Sequence, residues 1–248
     1  MQIYAIANQK GGTGKTTTAA AIATAAARNG QKVLCIDLDP QGQLSYTLAA
    51  DMDKPGSYEL LEGLADVDSL IQNTDQGVAI IPASWNLQII TTGRGSARRL
   101  QRAIEGLQRK FDVIVIDTPP TAGELQYNAL QTATGLIVPI QADAYNLQSL
   151  AQIMDTAGQI METNPDLDIT GLILTQYDGR SILSRQMRDI IIQEAESADV
   201  PFLGTVRQGI AIKEAAALQR SLFEYAPKSK PAQDYLEIYG KLFTQEEI

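Results

Sequence analysis

Histidine is absent from the 248 residues, and cysteine occurs once, as Cys35. The first absence excludes a histidine general base, a Ser-His-Asp triad and a histidine-ligated zinc. A single thiol excludes internal disulfides and any metal site that takes several thiolates from one chain. No apolar run approaches the ~20 residues that a membrane-spanning helix needs, and Ile3–Ala7 is too short for a secretory signal. Basic side chains are also in deficit: 20 Lys and Arg stand against 29 Asp and Glu, a formal net charge of −9. That balance argues against a chain coated along its length by nucleic acid or anionic lipid. A cytoplasmic protein is the expectation. With 44% hydrophobic and 20% charged residues, the chain can bury a sizeable core.

Apolar runs of strand length occur at Ile3–Ala7, Val33–Ile36, Val78–Ile81, Val113–Ile116, Leu136–Val138, Ile169–Leu174 and Phe202–Val206. Most are continuous rather than alternating, as in parallel strands buried on both faces. Helical stretches separate them: Lys15–Asn29 closed by Gly30, Ser96–Lys110, Glu124–Thr134, Leu147–Asn164 ended by Pro165, Leu183–Ala198, Ile210–Leu218 and Pro231–Leu242. This alternation predicts an α/β fold, a mostly parallel twisted sheet with helices on both faces. No composition shift marks a second domain, so residues 1–248 are expected to form one. The least regular part, Gln41–Gly77, is expected to hold short helices and loops.

Ligands of such sheets bind beyond the carboxyl ends of the strands, and three of these junctions carry chemistry. After the first run comes Lys10-Gly11-Gly12-Thr13-Gly14-Lys15-Thr16-Thr17, followed at once by an alanine-rich helix. Glycines let the backbone wrap a phosphate with its N–H groups inward, and the helix N-terminus adds partial positive charge. Lys15 can reach the β- and γ-phosphates of a nucleoside triphosphate, and the Thr16 hydroxyl can ligate Mg²⁺. The usual G-x-x-x-x-G-K-[ST] spacing fails because Gln9 stands five residues before Gly14. An extra lysine, Lys10, precedes paired glycines instead. A dinucleotide-binding fingerprint, Gly12-x-Gly14-x-x-Thr17 with Asp37 as its acidic residue, is the rival; it lacks the third glycine.

The second run ends in Asp37-Leu38-Asp39-Pro40-Gln41-Gly42, and the fourth in Asp117-Thr118-Pro119-Pro120. A magnesium–triphosphate needs carboxylates opposite the phosphate loop, and hydrolysis needs a group to orient the attacking water. Asp117 suits the metal. Asp37 and Asp39 alternate along an extended chain and point apart, so one can serve the metal shell and the other the water. The prolines suggest stiff loops able to sense a γ-phosphate.

Together these three motifs resemble the deviant Walker A ATPases of the ParA/MinD family, which have the P-loop NTPase fold. The likeness continues through Ile81-Pro82-Ala83-Ser84, Asn128-Ala129-Leu130, Val138-Pro139-Ile140-Gln141, Leu174-Thr175-Gln176-Tyr177-Asp178-Gly179-Arg180 and Tyr225-Ala226-Pro227-Lys228-Ser229-Lys230. It is similar to the short ParA branch, with no helix-turn-helix domain expected ahead of the first strand. The resemblance implies ATP and Mg²⁺ as cofactors and an ATP-dependent sandwich homodimer. Lys10 would be the signature lysine that reaches the partner's phosphates, while Lys15 stays on its own subunit's. Asp39 would position the hydrolytic water, Asp37 and Asp117 would stand near Mg²⁺ with Thr16, and Gln176 would border the adenine. A water held by a carboxylate and two lysines, without a strong base, suggests slow hydrolysis.

Within the family the tail separates branches. MinD-like relatives end in a basic amphipathic helix that meets lipid, whereas residues 235–248 hold one lysine and three glutamates, so no membrane partner is expected. Nitrogenase-iron-protein relatives need two cluster cysteines per subunit, and Cys35 lies inside a strand. Charge is unevenly spread: residues 180–230 carry net +2, residues 1–179 net −8 and residues 231–248 net −3. In ParA relatives this C-terminal region meets nucleoid DNA without sequence preference. Arg185, Arg188, Arg207, Lys213 and Arg220 are the candidate DNA contacts, with Ala211 where the family often has a second arginine. Arg94, Arg98, Arg99, Arg102, Arg109 and Lys110 form a second cluster, read as a solvated helix face. The resemblance thus implies a nucleoid-associated partition ATPase stimulated by a ParB-like centromere-binding protein. The alternatives are a nucleoid- or membrane-based positioning ATPase for a protein cargo, as in MinD, and a metabolic P-loop enzyme.

Overall fold

A computed structural model describes residues 1–90, 96–143 and 146–243. Eight strands form one sheet: β1 (Gln2–Ile6), β2 (Val33–Asp37), β3 (Gln72–Asn73), β4 (Ala79–Ile81), β5 (Val113–Asp117), β6 (Gly135–Gln141), β7 (Asp168–Tyr177) and β8 (Phe202–Arg207). Their order is β3-β4-β2-β5-β1-β6-β7-β8, and all pairs are parallel except β3 with β4. The helices are α1 (Lys15–Arg28), α2 (Gln43–Thr47), α3 (Ser57–Glu62), α4 (Val67–Leu70), α5 (Arg99–Ala103), α6 (Glu124–Thr132), α7 (Asn146–Met161), α8 (Ile182–Ser197), α9 (Ile210–Ala217), α10 (Leu222–Tyr225) and α11 (Lys230–Phe243). Among the described residues none is long and apolar enough to cross a membrane.

Strand alternation divides the core in two. Ile3, Ala5, Leu34, Ile36, Ile114 and Ile116 face one layer, which is closed by Leu100, Leu130, Ile153 and Ile191. Tyr4, Ile6, Cys35, Val115, Ile137 and Ile173 face the other, beneath the alanines of α1 and beside Phe223, Tyr235 and Ile238. Small side chains at Ala19, Ala23 and Ala26 let α1 lie close to the sheet with α11 over it. The C-terminal helix is docked: Tyr235 is buried with its hydroxyl 3.1 Å from Thr18 Oγ1, and Phe243 meets Tyr4 edge-on.

The expected helix over Ser96–Lys110 is broken into a 3₁₀ turn, α5 and a second 3₁₀ turn over Glu105–Arg109. Gly106 weakens helix at that break, and the three-residue step from Ile104 to Leu107 keeps both buried on the stripe begun by Leu100. α7 stops at Met161, before Asn164, whose side-chain amide instead donates to the Leu130 and Ala133 carbonyls at 2.9 Å. β3 and α10 went unanticipated, being too short to show a period.

Candidate nucleotide site and basic island

Sheet register assembles the site. Asp37 and Asp117 are partnered at the ends of β2 and β5, and Asp117 also adjoins Ile6 at the end of β1. Each lies two residues beyond a side chain facing α1, Cys35 and Val115, so both carboxylates point to the layer where α1 begins. Gly14, with φ 89°, turns the chain into α1, a left-handed conformation that strains other residues. Thr16 on the first turn then donates from Oγ1 to Asp117 Oδ2 at 2.7 Å.

Asp37 is fixed by three donors: Ser45 N at 2.8 Å, Ser45 Oγ at 2.7 Å and Asp39 N at 3.1 Å. Asp39, two residues beyond the end of β2, accepts from Gln41 N at 2.9 Å. Lys15 reaches back to donate from Nζ to the Lys10 carbonyl at 3.1 Å. Lys15, Asp37, Asp39 and Asp117 are all buried, an excess of negative charge sealed from water. Burial pushes the Asp37 carboxyl up to about 6 against the pull of the Ser45 and Asp39 donors. Burial and then the neighbouring Asp37 charge hold Asp117 well above the carboxylate range. Burial lowers Lys15, opposed by Asp117 and Asp39.

Such a cluster calls for a cation. Asp117 Oδ1 is buried without a hydrogen-bond partner among the described residues, beside the Oδ2 that Thr16 bonds. Oxygen donors at Thr16 and Asp117 suit a hard divalent ion that takes its remaining ligands from phosphate and water. No group of three or more acidic, His or Cys side chains that could hold a metal ion by itself is found among the described residues.

Lys10 stands apart. Its ammonium is paired with Asp143 at 2.8 and 2.9 Å, at the partly exposed end of β6. Gln176 sits at the end of β7 with φ 53° and lines a hollow of about 150 Å³ together with Gly14, Thr17, Arg207, Lys213 and Tyr235. A larger hollow of about 420 Å³, mostly apolar, shares Thr17 and Ile212 with it and opens beside Thr16. Residues that spacing did not single out also hold this region: Asn8, which donates to the Pro139 carbonyl at 2.8 Å and accepts from Lys10 N at 3.0 Å, and Ser45, Asp143 and Thr175. Asp143 follows the end of β6 and Thr175 lies near the end of β7, the place where an open α/β sheet gathers ligands; Thr175 also falls in a segment that carries the family likeness.

The candidate DNA residues are dispersed and mostly committed. Arg207 holds Asp234 through Nε and Nη2 at 2.5–3.0 Å. Arg188 pairs with Asp189 at 2.8 Å and stacks over Tyr177, and Arg220 pairs with Glu224 at 2.5 Å. Arg185 donates to the Gly179 carbonyl at 2.8 Å. In the second cluster, Arg99 pairs with Glu62 and Lys110 with Asp68 at 2.5 Å, while Arg94 lies outside the described residues.

Comparison with known proteins agrees with this geometry. A family model described as "AAA domain" matches residues 1–169. The chain is 34% identical to the chromosome-partitioning ATPase Soj of Thermus thermophilus, over 93% of this chain and 91% of that protein. The chain belongs to the ParA/MinD family of deviant Walker A P-loop ATPases. Among solved structures it is similar to cobyrinic acid a,c-diamide synthase of Mycobacterium smegmatis with bound ATP analog and magnesium, at 33% identity, TM-score 0.78 and coverage of 96% and 93%. It is also similar to the septum site-determining protein MinD of Pyrococcus horikoshii complexed with Mg-ADP, at 27% identity, TM-score 0.79 and coverage of 98% and 96%. As a family member it carries an ATPase fold whose relatives serve partition or positioning.

Proposed function

We propose that this chain is a ParA-type DNA-partition ATPase. ATP with Mg²⁺ closes two copies into a sandwich dimer, the dimer binds nucleoid DNA without sequence preference, and a ParB-like centromere-binding partner stimulates hydrolysis and release. The observation that supports the reading is the pairing of a centre built on buried Lys15 and Asp117, with the half-buried Thr16 bonded to Asp117, and an outlying Lys10 paired with Asp143. Thr16 and Asp117 would hold Mg²⁺, with Asp37 beside them. Bound Mg²⁺ supplies charge neutralisation at the phosphate oxygens. Lys15 keeps to its own phosphates, Lys10 leaves Asp143 for the partner's, and Asp39, free of the Ser45 contacts that hold Asp37, orients the water. DNA contacts come from residues 180–230. Residues 1–248 act as one domain.

The test is DNA binding with ATP, with ADP and without nucleotide, across a salt series. ATP-dependent binding whose log–log salt slope is about −0.9 per phosphate contact supports the reading. Binding indifferent to both nucleotide and salt removes the DNA step. The similarity to MinD favours a second reading, positioning of a protein cargo. That reading predicts the same dimer with a cargo adaptor in place of the centromere-binding protein. A phosphorylated small-molecule product would move the chain to metabolism.

A further inference from the structure

Two carbonyls of the phosphate loop are held by side chains at the ends of β6 and β7. The Thr13 carbonyl accepts from Thr175 Oγ1 at 2.7 Å, while the Lys10 carbonyl accepts from the loop's own Lys15 Nζ at 3.1 Å. The Gly12 carbonyl accepts two side-chain amides, Gln141 Nε2 at 2.6 Å and Gln176 Nε2 at 2.7 Å. In a planar trans peptide the C=O of one residue points opposite to the N–H of the next. Tying the Gly12 and Thr13 carbonyls to these strand ends therefore turns the N–H groups of Thr13 and Gly14 the other way, into the concave side of the loop, where a phosphate sits.

The double clamp falls at the weakest point. Gly11-Gly12 has no side chain to restrain it, and Gly12 is at φ 77° with open space around it, so its peptide can flip at little steric cost. The clamp also carries strain: Gln176 is one of four non-glycine residues at positive φ among the described residues. A strained backbone persists only where its surroundings over-determine it, and such residues concentrate at functional sites. The other arm comes from the neighbouring strand end, since Gln141 is paired in register with Thr175.

We propose that Gln141 and Gln176 are positioning residues that lock the Gly12 peptide in its phosphate-binding orientation before nucleotide arrives. This rests on the loop being the ATP site. Two amides on one carbonyl back each other up, so the contribution of each shows fully only when the other is gone.

The experiment compares Gln141→Leu, Gln176→Leu and the double variant, near-isosteric changes that remove the donors, by calorimetric ADP binding in Mg²⁺ and by apo thermal melting. Expected are losses of about three-fold in ADP affinity for each single variant and at least about thirty-fold for the double, more than the product of the singles. Apo melting temperatures stay close to that of the parent. ADP affinity unchanged in the double variant overturns the proposal. So does an affinity that merely tracks the fall in apo melting temperature across the three. Should the double variant not fold, the singles decide by the same criterion. A parent protein that fails to bind ADP would instead overturn the ATP assignment itself, a separate failure.

Discussion

Charge is handled in opposite ways in two regions of this molecule. At the carboxyl ends of β1, β2 and β5, Lys15, Asp37, Asp39 and Asp117 are buried, with one carboxylate oxygen left without a partner among the described residues. In residues 180–230 three arginines near the surface are paired with acids: Arg188 with Asp189 and Arg220 with Glu224 from the same segment, and Arg207 with the buried Asp234 of α11. Burying a surplus of like charge is costly, and the cost persists only where a ligand resolves it. Surface ion pairs are worth about 0–1 kcal/mol, so they form and open readily. The first region is poised for one ligand, whereas the second can exchange partners.

If that contrast is right, variants of the buried cluster give the largest effects. Asp39→Ala should lower ATP hydrolysis by roughly 10²-fold or more while leaving ATP binding, so that an ATP-bound dimer accumulates in size-exclusion chromatography. Unimpaired turnover would remove Asp39 from the water. Lys10→Ala should abolish ATP-dependent dimerisation yet keep most of the monomer's nucleotide affinity. Lys15→Ala should weaken that affinity itself by about ten- to hundredfold. A dimer that forms normally in either lysine variant breaks the sandwich.

The two regions also differ in how much the sequence disclosed. Lys15, Thr16 and Asp117 were legible because their chemistry requires fixed spacing after a strand, and strand ends are read from continuous apolar runs. The placement of Asp37 against Ser45 was not, because Ser45 belongs to a five-residue helix in the irregular stretch after β2. Arg207 and Lys213 show the limit best. Read along the chain they are basic residues in a basic segment, but the fold brings Asp234 from α11 onto Arg207 and sets both side chains beside Gln176 and Thr17. Net charge counted by segment cannot see a carboxylate delivered by another helix. The broken 96–110 helix is a milder case: its helical character is legible in the sequence, its regularity is not.

A smaller effect sharpens the comparison from the stability side. Asp117→Asn removes a buried charge while keeping the size of the side chain and an oxygen for Thr16. Burial raises the Asp117 pKa in the folded state, so the unfolded chain gives up its proton first and apo stability falls as pH rises above the unfolded value. The variant should therefore melt higher than the parent at neutral pH without Mg²⁺, by about 2–4 °C for each 1 kcal/mol relieved. Its melting should also lose that pH dependence, and Mg²⁺-nucleotide should add little to it. An apo variant that melts lower would mean that the buried charge is already compensated within the chain.

The smallest effects are expected on the surface, and they decide which basic residues meet DNA. A guanidinium already paired with a carboxylate contributes little net charge, so its loss should scarcely change the counterions released on binding. With ATP saturating, Arg185→Ala should reduce the magnitude of the log–log salt slope by about 0.9 for each DNA phosphate that the dimer no longer neutralises, while Arg188→Ala and Arg220→Ala leave it nearly unchanged. Asp189→Ala or Glu224→Ala should then strengthen binding a few-fold by freeing the arginine. The opposite ranking would mean that the ion pairs open on the duplex, with carboxylates serving to keep the free monomer off DNA. Lys213 divides the two regions within one side chain: it lies in a basic segment and on the wall of the hollow that Gln176 and Thr17 share. A Lys213→Ala variant that lowers the salt slope at unchanged ATP affinity belongs to the DNA surface. One that weakens ATP and leaves the slope alone belongs to the nucleotide site.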